Sequence, residues 1–132
     1  MTLLSSHQAD LFNRSGEKFS KPDEFETLDH VRVFTLNVRG AAVRKRVFEP
    51  GWKWSKHTKP GAKSCDATHF NYHVSGVMHV KMDDGTEDDV EAGEVVWIPP
   101  GHDAWVVGTE PVEVVDIQGM VDAARMNTKS IR

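Results

Sequence analysis

The sixteen residues GEVVWIPPGHDAWVVG, at positions 93–108, constrain the fold more than any other stretch of the chain. Gly93 supplies a turn, and the residues after it are β-branched, aromatic and strand-like. Pro99-Pro100-Gly101 then makes a rigid corner, because proline fixes φ and carries no backbone donor. Ala104–Val107 reads as the next strand. Two short strands joined by so sharp a corner leave no room for a helix between them.

The rest of the chain repeats this texture. Strands are expected at 31–38, 42–48, 68–74, 77–82, 86–90, 94–98, 104–107 and 112–117, from alternation and β-branched content. Arg39-Gly40, Ser75-Gly76 and Ala92-Gly93 separate them, and Asp83-Asp84-Gly85 is a hairpin turn. Residues 51–65, GWKWSKHTKPGAKSC, form a long loop with Pro60-Gly61 in its middle. Residues 1–30 read as a polar, mostly irregular arm with at most one short helix near Gln8–Asn13. A short helix from Gly119 is expected to fray over 127–132. The division is therefore an arm over 1–30, a β-barrel domain over 31–119 and a tail over 120–132. About eight short strands without a long helix call for an all-β sandwich or barrel. The alternation leaves jelly roll, immunoglobulin-like and other barrels open.

Composition removes several function classes. The chain has 132 residues and a net charge of −4, so it lacks the basic field that a nucleic-acid surface needs. Arg44-Lys45-Arg46 sits inside an alternating segment and reads as a solvated face. One cysteine, Cys65, excludes an internal disulfide and favours a reducing compartment, hence a cytoplasmic location. The N-terminus has no signal-peptide pattern, and no stretch reaches the length of a membrane span. No membrane or nucleic-acid partner is expected.

Gly93, Pro99 and Gly101 stand where the second cupin motif has Gly, five residues, Pro, any residue and Gly. Over roughly residues 42–118 the chain resembles the cupin superfamily, small RmlC-like jelly-roll barrels. The pattern WKWSKH, C-x-x-x-H-x-x-Y-x-x-SG, DDG and IPPGHDAWVVG is similar to a subgroup of small bacterial cupins. The first cupin motif has two registers here. Gly51 leads to His57, with Lys59 at the second His position. Gly76 as the closing glycine instead puts His69 at the usual Glu and Cys65 at the second His. An insertion containing Pro60-Gly61 reconciles the two. The last family His falls on Ala104, with His102 two residues before it.

Metal-binding cupins use three His and one Glu pointing into the barrel. The resemblance therefore implies a divalent metal held by His57, Cys65, His69 and His102. A thiolate among imidazoles suits zinc ahead of iron, manganese or nickel. On an unbroken strand Cys65, His69, Asn71 and His73 share one face. Trp54, Asn71, His73 and Trp105 are the expected pocket residues around a small-molecule ligand or substrate. The competing reading is a metal-free, non-catalytic small-ligand-binding or dimerisation barrel. In it His69 is a satisfied interior histidine and Cys65 a small buried group. His57 then sits on an exposed loop, and His73 and His79 can face outward. Asp103 reads as an exposed corner carboxylate or as the cap of a turn, Trp97 as a core or interface residue. Glu87, Asp88, Asp89 and Glu91 read as a solvated edge. The resemblance also implies a homodimer, for which residues 1–30 are plausible wrapping material.

Overall fold

The computed structural model describes residues 17–131, so the helix expected near Gln8–Asn13 lies outside the described residues. Among the described residues, nine strands and one α-helix follow in order. They are β1 (Glu24–Leu28), β2 (Val31–Val38), β3 (Ala41–Phe48), β4 (His69–Ser75), β5 (Val77–Met82), β6 (Glu87–Val90), β7 (Val95–Ile98), β8 (His102–Val107), β9 (Val112–Asp116) and α1 (Ile117–Ile131). The 51–65 loop holds a single wide helical turn, Trp54–Thr58. Every strand pairing is antiparallel. One sheet runs β1-β2-β3-β9-β4-β7 and the other β6-β5-β8.

The core lies between the two sheets, and alternation puts it there. Val31 and Val33 of β2, Val112 and Val114 of β9 and Ile98 of β7 meet Met78 and Val80 of β5 and Ala104 and Val106 of β8. On β2, β3 and β9 the opposite face is also buried. Leu36, Val43, Val47 and Val115 are covered there, and α1 packs across β3 and β4. Lys45 shares this face, while Arg44 and Arg46 pair with Thr35 and Val33 on the face turned to the core; all three are half-buried rather than solvated, and burial lowers the Arg46 pKa below the ordinary guanidinium value.

Two elements depart from the expectation. β1 lies within the stretch read as an irregular arm. All five of its residues are exposed, so it carries no core-facing alternation, and the backbone ladder to β2 defines it. Asp23 closes that pairing: its amide bonds Thr35 O, and its carboxylate accepts the Asn37 amide. α1 begins at Ile117 and runs 15 residues, longer than the short helix expected from Gly119.

The corner at 99–101 also organises the loop before β4. Gly101, at φ +92, donates its amide to Cys65 O, while Cys65 donates to His102 O, both at 2.7 Å. This single bridge ties Cys65 to the first residue of β8. Gly76 joins β4 to β5 at φ +75, and a Cβ there would stand 2.5 Å from Pro111 O. Only glycine fits that approach.

Candidate metal centre and cavity

His102 opens β8 and points inward, with 3% of its surface exposed. Its Nδ1 lies 2.7 Å from Pro99 O. A carbonyl only accepts, so Nδ1 carries a proton, and in the neutral ring Nε2 keeps its lone pair, the tautomer a metal ligand needs. Cys65 is 7% exposed and is held beside His102 by the backbone bridge. His69 opens β4 opposite Ile98. Its Nε2 stands 3.6 Å from Cys65 Sγ, and its ring meets that of His102 edge-on at 5.1 Å between centroids. One donor atom from each of the three residues falls within 4.8 Å of the other two.

This donor set fits a tetrahedral ion. With Zn–S about 2.3 Å and Zn–N about 2.0–2.1 Å, tetrahedral geometry separates sulfur and nitrogen ligands by about 3.5–3.6 Å. The observed Sγ–Nε2 distance is 3.6 Å. Burial, and then the neighbouring His102, hold the His69 pKa below the ordinary imidazole value; Arg46 adds to this and Asp116 opposes it. His69 is therefore biased toward the neutral form that coordinates metal.

His69 and His102 also line a cavity of about 80 Å³, together with Asn71 and His73 and with apolar walls that include Phe48, Trp52, Trp54 and Met78. Ala104 lines it with a methyl group. Trp52 is buried and donates its indole N–H to Thr58 Oγ1, which pins the wide turn against the cavity wall. Sequence reasoning did not pick out Trp52, Phe48 or Met78 as lining residues. Phe48 and Met78 take their side of the sheet from alternation once the strand pairings are known, while Trp52 lies in the loop after β3.

His73 is 2% exposed and lines the cavity, yet its buried Nδ1 has no hydrogen-bond partner among the described residues. Leaving such a group unsatisfied costs about 1–3 kcal/mol. Burial lowers its pKa below the ordinary value, with Glu94 pulling the other way.

Other expected site residues lie elsewhere. His57 does not join Cys65, His69 and His102. Its ring packs on His30 at 4.0 Å, and its Nδ1 accepts the Lys53 amide at 3.0 Å. The wide turn at Trp54–Thr58 carries it to the β1–β2 turn, where Asp29, His30 and His57 form a second, mostly exposed group. Trp105 faces away from the cavity. Residues 102, 104 and 106 of β8 point in, so Trp105 points out, stacked on His79 at 4.7 Å with Lys53 Nζ 5.0 Å above its ring. Asp103 is no exposed corner carboxylate: it accepts the Ser55 amide and hydroxyl and thus caps the wide turn. His79 is half-buried between Asp89 and Glu87 on the outer face of β5.

No protein-family model matches the chain, and no curated protein matches it in sequence. Solved structures do match in shape. A protein of unknown function (DUF1255) from Acidithiobacillus ferrooxidans matches at TM-score 0.52 and 15% identity, over 71% of this chain and 85% of its own. The polyketide cyclase RemF from Streptomyces resistomycificus matches at 0.52 and 16% identity, over 76% of both chains. The oxalate decarboxylase of Lactobacillus farciminis matches at 0.52 and 13% identity, over 75% of this chain and 31% of its own. At these identities the likeness is one of fold.

Proposed function

We propose that this cupin-fold barrel is a divalent-metal protein, zinc foremost, whose metal face opens onto a small-molecule cavity. Cys65, His69 and His102 are the residues that would hold the ion. The observation that carries this reading is the 3.6 Å contact between Cys65 Sγ and His69 Nε2, the edge length of a tetrahedral zinc site. Two further facts support it: the Pro99 carbonyl fixes the coordinating tautomer of His102, and burial favours neutral His69. Zinc supplies a Lewis acid when bound. The chain's own residues do the rest. Trp52, Trp54 and Phe48 wall the cavity against water, while Asn71 offers both a donor and an acceptor to a bound molecule.

The test is a metal titration of protein purified without a chelating column and stripped of metal. One zinc ion is expected per chain. Cys65→Ser and His69→Ala are expected to weaken binding by more than the roughly 10–100-fold that loss of an outer-shell partner costs. Cobalt in place of zinc is expected to show a thiolate-to-metal absorption band that Cys65→Ser removes. Zinc binding that survives both substitutions, or no binding at all, sinks the metal reading. The metal-free alternative, a small-ligand-binding barrel, is favoured by one observation: the same Cys65–His69 contact also fits an S–H···N hydrogen bond.

A further inference from the structure

β4 sets His69, Asn71 and His73 on one face, and all three line the same cavity. Side chains two residues apart on a strand are same-face neighbours, so the three polar groups form a row along β4. The cavity is therefore polar along its β4 side and mostly apolar on its other walls. The place of His73 is fixed by its backbone: its amide bonds Glu94 O, and its carbonyl accepts the Gly93 amide. The residue is 2% exposed, and its buried Nδ1 has no hydrogen-bond partner among the described residues. Buried polar groups in folded proteins are almost always paired, so a cavity-lining imidazole with a buried nitrogen left unpaired points to a missing occupant that would reorient or engage the ring.

We propose that the His73 imidazole anchors one end of a small bound molecule whose other end lies at Cys65, His69 and His102. This rests on the reading of those three residues as a metal centre. Size limits the occupant. The cavity measures about 80 Å³, so its occupant is a small molecule rather than an extended one. Charge limits it further. No lysine or arginine lines the cavity. Arg46 acts on His69 from outside that lining, and Asp116 opposes it there. A divalent ion beside one thiolate would leave room for a single negative charge at the metal end, whereas Glu94 is the charge that acts on His73 and disfavours a second anion there. The class that fits is a short carboxylate, about three carbons long, with a neutral hydroxyl or carbonyl oxygen at its far end.

The experiment compares 3-hydroxypropionate with propionate on the zinc-loaded protein by calorimetry. The hydroxylated probe is expected to bind about tenfold tighter, the size of one buried hydrogen bond. His73→Phe is expected to erase that preference while keeping the affinity for propionate, and His73→Gln to restore part of it. Because these variants alter a buried position, the wild-type protein is also read by imidazole 15N NMR. The His73 ring nitrogens are expected to shift with 3-hydroxypropionate and not with propionate. Equal affinities together with an unmoved His73 signal overturn the proposal. The same spectra on metal-free protein separate the two readings. A His73 response without zinc binding at the triad leaves the anchor standing and removes the metal. Zinc bound at the triad with a silent His73 does the reverse.

Discussion

His102 and Asp103 are adjacent, and the strand sends them to opposite sides of β8. His102 turns inward, its tautomer set by Pro99 O; Asp103 turns outward and holds Ser55 at the start of the wide turn. One dipeptide thus serves both the site and the loop that walls it. His73 makes a pH prediction. Its folded pKa lies below the ordinary value, because burial disfavours the charged ring. Above about pH 6.5 the ring is neutral in both states, and the stability is fully present. As pH falls through about 6.5 the unfolded chain takes up the proton first, so stability drops until the lowered folded pKa is reached. His69 acts in the same direction. Urea midpoints of metal-free protein are therefore expected to fall between about pH 7.5 and about pH 5, and to fall less in His73→Leu. Equal slopes in the two proteins would count against a neutral, buried His73.

At the scale of elements, β4 and β8 position the site, and their ends matter most. The turn at Gly76 passes so close to Pro111 and Val112 that no Cβ fits, and its φ of +75 adds strain for any other residue. Gly76→Ala is expected to destabilise the protein by about 2–4 kcal/mol, combining backbone strain with a displaced β9. Thermal unfolding would report this as a fall in Tm of roughly 8–20 °C. A change within error would mean that the turn relaxes freely. Gly119 has a similar constraint, since its Cβ would stand 2.7 Å from Ala42 O where α1 crosses β3. The wide turn at Trp54–Thr58 shows the reverse case. Its residues carry no strong local signal, and Asp103 and Thr58, reached by side-chain hydrogen bonds, hold it in place.

Across the whole molecule the strand edges differ in their protection. β6 carries Glu87, Asp88 and Asp89, and β1 carries Glu24 and Glu26, charges that discourage edge-to-edge pairing. β7 closes the other end of the six-stranded sheet with VVWI, and Trp97 is 62% exposed on it. Trp97 is therefore not the core residue that its apolar neighbours suggest. Trp97→Lys is expected to change the unfolding free energy by no more than about 0.5 kcal/mol, checked by urea denaturation. A loss of several times that would show that Trp97 packs against something. Among the described residues no helix is long and apolar enough to cross a membrane.

Much of this was legible in the sequence. Period-two alternation, the Asp-Asp-Gly hairpin and the Pro-Pro-Gly corner are local signals, and they located eight of the nine strands to within two residues. β1 escaped because an edge strand exposed on both faces has no burial pattern to write into its residues. Parity alone put His69, Asn71 and His73 on one face, since side chains on a strand alternate whatever it packs against. Which side of the sheet became the cavity, and which residues of other strands met there, depended on pairing between distant segments. Cys65 reached His102 through a bridge spanning 37 positions. His57 went to His30 because its loop coils into a turn, and Trp105 was carried outward by the parity of β8. The residues of 93–108 determined strand, corner and strand. Only the tertiary structure decided that the histidine in their midst faces a cysteine and a second histidine, because through-space distance is set by the whole sheet.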